Sequence, residues 1–146
     1  MAQTNAIDPN EKVFVDTAAW IALLIVNDEL HKPVVEIMRE LRRKNTRLIT
    51  TDLVLFEFLN ALSSIKHRSK AIAFVDTLRD LTNVEIISFT SENLEKSLEL
   101  YRQRRDKNWS LTDCYSFVVM RDRKIKLAFT SDKHFEQAGF VKLLEK

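Results

Sequence analysis

Two acidic residues follow short apolar runs that are typical of buried strands. Asp16 ends the run at residues 13–15, and Asp132 comes soon after the run at residues 126–130. In open α/β sheets, ligands bind just beyond the carboxyl ends of the strands, so both carboxylates are expected at a binding site. The simpler interpretation is that each aspartate caps the helix or turn that follows it.

Glu57 interrupts a segment, residues 53–62, that is apolar on nearly every side and is therefore expected to be buried. Asn60 lies on the same helix face, three residues further on. An unpaired buried carboxylate costs several kcal/mol or takes up a proton. Because the helix has no Lys or Arg before Lys66, the neutralising cation is expected to be a distant basic residue or a bound metal ion.

Asp113 stands three residues after Ser110. This spacing resembles a capping box, although the residue three positions after the serine is usually Glu or Gln. The same helix N-terminus would keep Asp113 ionised through the helix dipole. The hydroxyls of Ser110 and Thr112 would lie beside it. Asp113 is therefore a candidate both for capping and for binding a ligand.

The four carboxylates together indicate a metal site more strongly than any one of them does alone. Carboxylates that are brought together repel one another unless a cation neutralises them. Oxygen ligands select Mg²⁺ or Mn²⁺ rather than Zn²⁺. We expect Asp16 and Asp113 to bind the metal directly, Glu57 to bind it directly or through water, and Asp132 to complete a second site.

Strands and helices alternate along the chain, which predicts an α/β fold with a mainly parallel sheet of four or five strands and helices on both faces. Strands are predicted at residues 13–15, 47–50, 84–89, 126–130 and 140–144, the last at an edge. Helices are predicted at residues 18–26, 33–44, 53–65, 71–81, 91–107, 110–123 and 134–138.

Composition excludes several classes of protein. Gly139 is the only glycine among 146 residues, so phosphate-binding loops and dinucleotide fingerprints, which need several glycines, are absent. The lone Cys114 excludes an internal disulfide and a cysteine-based zinc site. The net charge of +2 does not by itself indicate a nucleic-acid partner. With neither a signal peptide nor a membrane-length apolar run expected, we predict a cytoplasmic protein with a flexible tail at residues 1–10 and one domain at 11–146.

Four motifs in order resemble the PIN domain family, and specifically its VapC-type toxins. The motifs are Val13-Phe14-Val15-Asp16-Thr17, Glu57 with Asn60-Ala61, Ser110-Leu111-Thr112-Asp113, and Phe129-Thr130-Ser131-Asp132 followed by His134-Phe135 and Ala138-Gly139-Phe140. The resemblance implies a metal-dependent endoribonuclease whose acidic quartet is Asp16, Glu57, Asp113 and Asp132. It also implies that Thr17 and Ser110 or Thr112 are polar neighbours of the metal.

The same resemblance implies the toxin of a type II toxin–antitoxin pair, with a small antitoxin partner and a homodimer. The acids would hold Mg²⁺ or Mn²⁺, which activates water for hydrolysis of an RNA phosphodiester. RNA also needs cations around such an acidic site. The residues before the third motif that could provide contacts to RNA are Arg102, Arg105, Lys107 and Trp109.

Two other functions fit part of the pattern. A PIN-like module without catalysis could bind RNA or protein and use its acids only for capping and ion pairs. A receiver-like phosphoacceptor also gathers acids at strand ends, but no adjacent acidic pair follows the first strand here. A phosphatase of the Asp-x-Asp class is excluded because Ala18 occupies the second position.

Overall fold

A five-stranded sheet organises residues 10–145, which are the residues that the computed structural model describes. The strands are β1 (Lys12–Val15), β2 (Arg47–Thr51), β3 (Val84–Ile87), β4 (Leu127–Phe129) and β5 (Val141–Lys142). The helices are α1 (Thr17–Leu24), α2 (His31–Arg43), α3 (Asp52–Ala61), α4 (Ile65–Asp80), α5 (Ser91–Gln103), α6 (Leu111–Asp122) and α7 (Lys133–Gln137). The predicted tail lies outside the described residues except for Asn10, and the predicted domain limits stay a prediction.

The strand order is β3-β2-β1-β4-β5, and every pair of neighbours is parallel. The predicted fold class and the edge position of the last strand are therefore confirmed. The strand β1 lies at the centre of the sheet, and its residues Val13, Phe14 and Val15 are fully buried. A strand buried on both faces needs apolar residues at every position, which explains the unbroken apolar run before Asp16.

The direction in which successive strands are added across the sheet reverses after β3, although all the strands are parallel. From β1 the chain steps to β2 and β3 on one side, then crosses to β4 and β5 on the other. Because parallel crossovers are right-handed, this reversal puts α1–α4 on one face of the sheet and α5–α7 on the opposite face. The gap between the carboxyl ends of β1 and β4 is thus a topological switch point, the place where ligands bind in doubly wound sheets.

The helix predicted at residues 53–65 ends earlier, at Ala61. The Ser63 hydroxyl donates to the Asn60 carbonyl at 3.0 Å, which uses a carbonyl at the helix end. Ser64 then adopts an extended backbone at the N-cap of α4. The first turns of α4 are mostly exposed and polar, so they carry no apolar periodicity, and the prediction began this helix six residues too late.

Several other elements are shorter than predicted, β3 and α5 among them. The strand β3 ends at Ile87 because the Phe89 backbone N–H turns away to donate to Asp52 Oδ2 at 3.3 Å, and Thr90 caps α5. The helix α5 ends at Gln103 rather than at residue 107. None of the helices within residues 10–145 is long and apolar enough to cross a membrane.

Candidate metal centre

All four predicted acids line one open cleft of about 500 Å³ at the switch point. Asp16 reaches it from the end of β1, Glu57 from α3, Asp113 from the first turn of α6 and Asp132 from the loop after β4. Residues up to 116 positions apart in the sequence, Asp16 and Asp132, thus place their carboxylates around the same cleft. No Lys or Arg within residues 10–145 lines this cleft to balance their charge.

Asp16 is held by the sheet and by a buried threonine. Its backbone N–H donates to the Phe129 carbonyl at 3.2 Å, which extends the ladder between β1 and β4. Its Oδ2 accepts a hydrogen bond of 3.0 Å from the hydroxyl of Thr130, which is fully buried. Asp16 occupies the N-cap position of α1 but its side chain makes no capping hydrogen bond, so capping does not explain why an aspartate is here.

Burial raises the pKa of Asp16 from its ordinary value of 3.8 to about 7. The same net shift includes a lowering of the pKa by the hydrogen bonds from the Thr17 backbone and the Thr130 hydroxyl, and a smaller rise caused by the negative charges of Glu57 and Asp113. The chain alone therefore does not stabilise the Asp16 carboxylate. A carboxylate in this position is expected to need a cation.

The prediction that Glu57 is buried was wrong. The buried side of α3 consists of Val54, Leu55 and Phe58, whereas Glu57 is exposed and the side chain of Phe56 is 63% exposed. A helix that is apolar on several faces can therefore expose one of them to solvent. The periodicity of the sequence did not show which face of α3 is exposed. Glu57 accepts a hydrogen bond of 2.8 Å at Oε1 from Thr17 Oγ1, which ties it to the start of α1.

Asp113 forms the predicted capping box with Ser110. The Ser110 hydroxyl accepts from the Asp113 N–H at 2.9 Å, and Asp113 Oδ2 accepts from the Ser110 N–H at 3.1 Å. The same Oδ2 lies 3.0 Å from His134 Nδ1. Capping and a position at the cleft thus occur together, and they leave Oδ1 of Asp113 without a hydrogen bond among residues 10–145.

Asp132 caps the short helix α7, because its Oδ1 accepts from the His134 N–H at 2.9 Å. Its own N–H donates to the Thr130 hydroxyl at 3.1 Å, so Thr130 connects Asp132 with Asp16. The ring of His134 also approaches Asp132, with Nδ1 at 3.5 Å from Oδ1. Asp113, Asp132 and His134 each place one ligand atom within 4.8 Å of the others, close enough for the three to share a metal ion.

The donor set of this cleft fits a hard divalent cation. Its charged side chains are carboxylates, and the deepest of them, Asp16, is disfavoured as an anion when no cation is present. Carboxylate oxygens are the ligands that Mg²⁺ and Mn²⁺ take from proteins. A salt bridge to a distant Lys or Arg, the alternative for Glu57, is not formed within residues 10–145.

Two of the predicted supporting residues, Thr17 and Asn60, line the cleft with the acids. Ser110 acts on it through Asp113, by the capping hydrogen bonds. Thr112 does not line the cleft. Two further residues, Thr130 and His134, contact the acids and were not predicted as site residues. The only signal for them was their place within the motif at residues 129–135, since their contacts depend on how β4 and α6 are brought together.

The basic segment before α6 holds its four predicted RNA contacts in different surroundings. The Trp109 side chain is only 5% exposed, packs edge-on against Phe117 at 5.0 Å between ring centres, and donates to Gln137 Oε1 at 3.0 Å. The Arg104 guanidinium lies over this ring, with Cζ at 4.9 Å from its centre, and the ring also lines a cavity; the RNA contact of Trp109 stays a prediction. Arg102 pairs with Glu99 at 3.3 Å, whereas Arg105 and Lys107 line a cavity of their own.

A comparison with protein families decides the classification. The family model described as PIN domain matches residues 13–141, nearly the whole of the chain. The chain belongs to the PIN domain family. The family predicted from the four motifs is therefore confirmed.

Curated relatives of this PIN domain include VapC20 from two strains of Mycobacterium tuberculosis, named a 23S rRNA-specific endonuclease. VapC20 is 30% identical over 132 residues, which are 90% of this chain and 97% of the relative. The class that the resemblance implies, a nuclease, is thus the class that the name of this relative gives.

Solved structures support the same fold. The crystal structure of M. tuberculosis VapC20, described as a sarcin-ricin loop cleaving toxin, matches with a TM-score of 0.77 and 28% identity, and the match covers 88% of this chain and 96% of that one. VapBC2 of Rickettsia felis, solved with a promoter DNA fragment, matches with a TM-score of 0.67, 14% identity and coverage of 90% and 96%. FitAcB of Neisseria gonorrhoeae has a TM-score of 0.66, again at 14% identity, over 90% and 96% of the two chains. The last two similarities show the fold alone.

Proposed function

We propose that this PIN domain is a divalent-metal-dependent endoribonuclease that hydrolyses RNA phosphodiester bonds. The observation that carries the proposal is the convergence of Asp16, Glu57, Asp113 and Asp132 on one cleft that no Lys or Arg of the described residues lines. The endonuclease activity in the name of VapC20, together with 30% identity over 90% of the chain, supports the same reaction.

The chain's residues would hold the ion and orient what surrounds it. Asp16 and Asp113 are the proposed direct ligands, Glu57 binds directly or through water, and Asp132 completes the acidic set. A bound Mg²⁺ or Mn²⁺ would supply an activated water and would neutralise charge developing on the phosphate oxygens. Thr130 fixes the carboxylate of Asp16, and the hydroxyl of Thr17 fixes that of Glu57. No side chain needs to attack phosphorus, since water is the nucleophile.

The proposed substrate is a loop of 23S ribosomal RNA. This part of the proposal follows from the name of VapC20 and from the sarcin-ricin loop named with its structure. Incubation of purified ribosomes with the protein and Mg²⁺, followed by primer extension across 23S RNA, would locate a cleavage. Cuts scattered over other RNAs, with none in 23S RNA, would contradict this substrate while leaving the nuclease activity in place.

The decisive experiment compares RNA cleavage by the wild-type protein and by Asp16→Asn in the same Mg²⁺ buffer. We expect cleavage only by the wild type, its loss in EDTA, and its recovery on adding Mg²⁺ or Mn²⁺. Asn keeps the shape of Asp16 and an acceptor for Thr130, so folding is preserved. Equal cleavage by both proteins would reject the proposal, because it would show a contaminating nuclease or a different site.

We further propose that the protein is the toxin of a type II pair, neutralised by a small antitoxin, and that it forms a homodimer. The word toxin in the description of VapC20 supports the first part. Growth arrest on expression that Asp16→Asn abolishes, together with light scattering at the mass of two chains, would test both parts. Metal-independent RNA binding without cleavage would instead favour the alternative, a PIN-like binding module.

A further inference from the structure

A second cavity, of about 440 Å³, lies beside the metal cleft at the start of α6. Asp113 lines the cleft, and the next residue, the buried Cys114, lines the second cavity. Successive residues of an α-helix point about 100° apart. The two cavities therefore flank one turn of α6, and a ligand long enough to pass the helix start would reach both.

The second cavity is positively charged. Arg104, Arg105 and Lys107 line it, and no Asp or Glu of the described residues does. Arg104 is neutralised, because its Nε and Nη2 bind the two carboxylate oxygens of Asp106 at 3.0 and 3.1 Å. Arg105 and Lys107 form no ion pair with any residue in 10–145. The cavity thus presents two uncompensated cations next to a cleft of four carboxylates.

The loop that carries these cations is held at both ends. The Lys107 N–H donates to the Arg104 carbonyl at 3.2 Å, and the Arg104 guanidinium lies over the Trp109 ring with Cζ at 4.9 Å from its centre. Trp109 in turn is fixed to Gln137 by the indole hydrogen bond. Since the loop is already ordered, a ligand that binds there needs to order only the Arg105 and Lys107 side chains.

We propose that this cavity is a phosphate subsite that binds the backbone of the RNA substrate at a nucleotide other than the one cleaved. The inference rests on the proposed ribonuclease function. RNA entering the cleft meets the negative charge of the acids, so its affinity must come from cations nearby. Arg105 and Lys107 would bind a phosphate there, and the half-exposed ring of Tyr101 lies at the same cavity.

The test measures binding of a fluorescein-labelled RNA hairpin to the full chain carrying Asp16→Asn, without metal, at several KCl concentrations. Arg105→Gln and Lys107→Gln are added separately. The matched control is Arg79→Gln, which removes the same charge from an exposed position of α4 that lines neither cavity. Each test variant is expected to raise Kd about tenfold and to lower the slope of log K against log salt by about 0.7.

Cleavage by the same substitutions in the protein that retains Asp16 gives a second readout. Loss of a contact away from the cleaved bond should raise KM and leave kcat unchanged. If Arg105→Gln and Lys107→Gln bind and cleave like Arg79→Gln, the subsite is overturned even though the nuclease proposal stands. Weakened binding of an acidic protein partner with unchanged RNA binding would overturn it as well. Failure of the nuclease proposal is recognised separately, by absence of cleavage in the wild type.

Discussion

Thr17 donates a hydrogen bond of 2.8 Å from its hydroxyl to Oε1 of Glu57, and so joins the first residue of α1 to the middle of α3. This bond sets where an otherwise exposed glutamate points. Without it, the flexible Glu57 side chain would sample several rotamers at the mouth of the cleft. Thr17 is thus a positioning residue for one of the four proposed metal-site acids.

Thr17→Val is expected to lower apparent Mg²⁺ affinity roughly tenfold, the usual effect of losing a partner of a metal ligand. Thr17→Ser keeps the hydroxyl and should behave like the wild type. Cleavage rates measured over a Mg²⁺ titration would separate the two variants. Equal Mg²⁺ dependence for Val and Ser would show that the hydroxyl does not position Glu57.

The pKa of Asp16 makes the metal-free protein sensitive to pH. Since this pKa is about 7 in the folded chain against 3.8 ordinarily, the native state binds more protons than the unfolded state between these values. Its free energy of unfolding should therefore fall as pH rises from about 4 to 7 and stay level above 7. Asp16→Asn should lack this part of the pH dependence. Urea unfolding in EDTA at several pH values measures both proteins.

Added Mg²⁺ extends the same experiment. Above pH 7 it should stabilise the wild type by binding the native state, and it should do little for Asp16→Asn. If the stability of both proteins changes equally with pH and with Mg²⁺, Asp16 is neither the titrating group nor a ligand.

His134 is expected to act through Asp113, to which its Nδ1 is hydrogen-bonded at 3.0 Å. In His134→Asn the amide nitrogen can take the place of Nδ1, whereas His134→Ala leaves Asp113 held only by Ser110. We expect Ala to weaken Mn²⁺ binding about tenfold and Asn to weaken it much less. Calorimetric titration with Mn²⁺ provides this measurement without any RNA. Identical affinities for both variants would contradict the assignment.

Substitutions of Ser110 and Asp113 should distinguish a contribution to folding from the proposed contribution to metal binding. Ser110→Ala removes the cap of α6 and should cost about 1 kcal/mol of stability, with metal binding largely kept. Asp113→Asn keeps an acceptor for the Ser110 N–H but loses the charge, so it should abolish cleavage with little change in stability. Thermal unfolding and Mn²⁺ titration of the two variants should thus show opposite defects. A large loss of stability in Asp113→Asn alone would favour a purely structural role.

Local patterns were enough to predict β1, the capping box and the fold class, because an apolar run that ends on Asp and a Ser-x-x-Asp box are short-range features. The exposure of Glu57 was not predictable in this way, since α3 is apolar on more than one face and only tertiary packing decides which face is covered. The contacts of Thr130 and His134 depend on the pairing of β4 with β1 and on the position of α6. Neither the strand pairing nor the position of α6 can be read from the local sequence pattern.

Asp113 and Asp132 each cap the N-terminus of a helix as well as facing the cleft. In a family member that had lost its activity, selection for a stable fold would still retain these two aspartates. Folding would not preserve the negative charge of Asp16, which the chain alone does not favour, because Asn would keep an acceptor for Thr130. The presence of the two capping acids is therefore a poor guide to whether a PIN domain is active. The residue at the end of the central strand is the informative one when degenerate members are sorted from working ones.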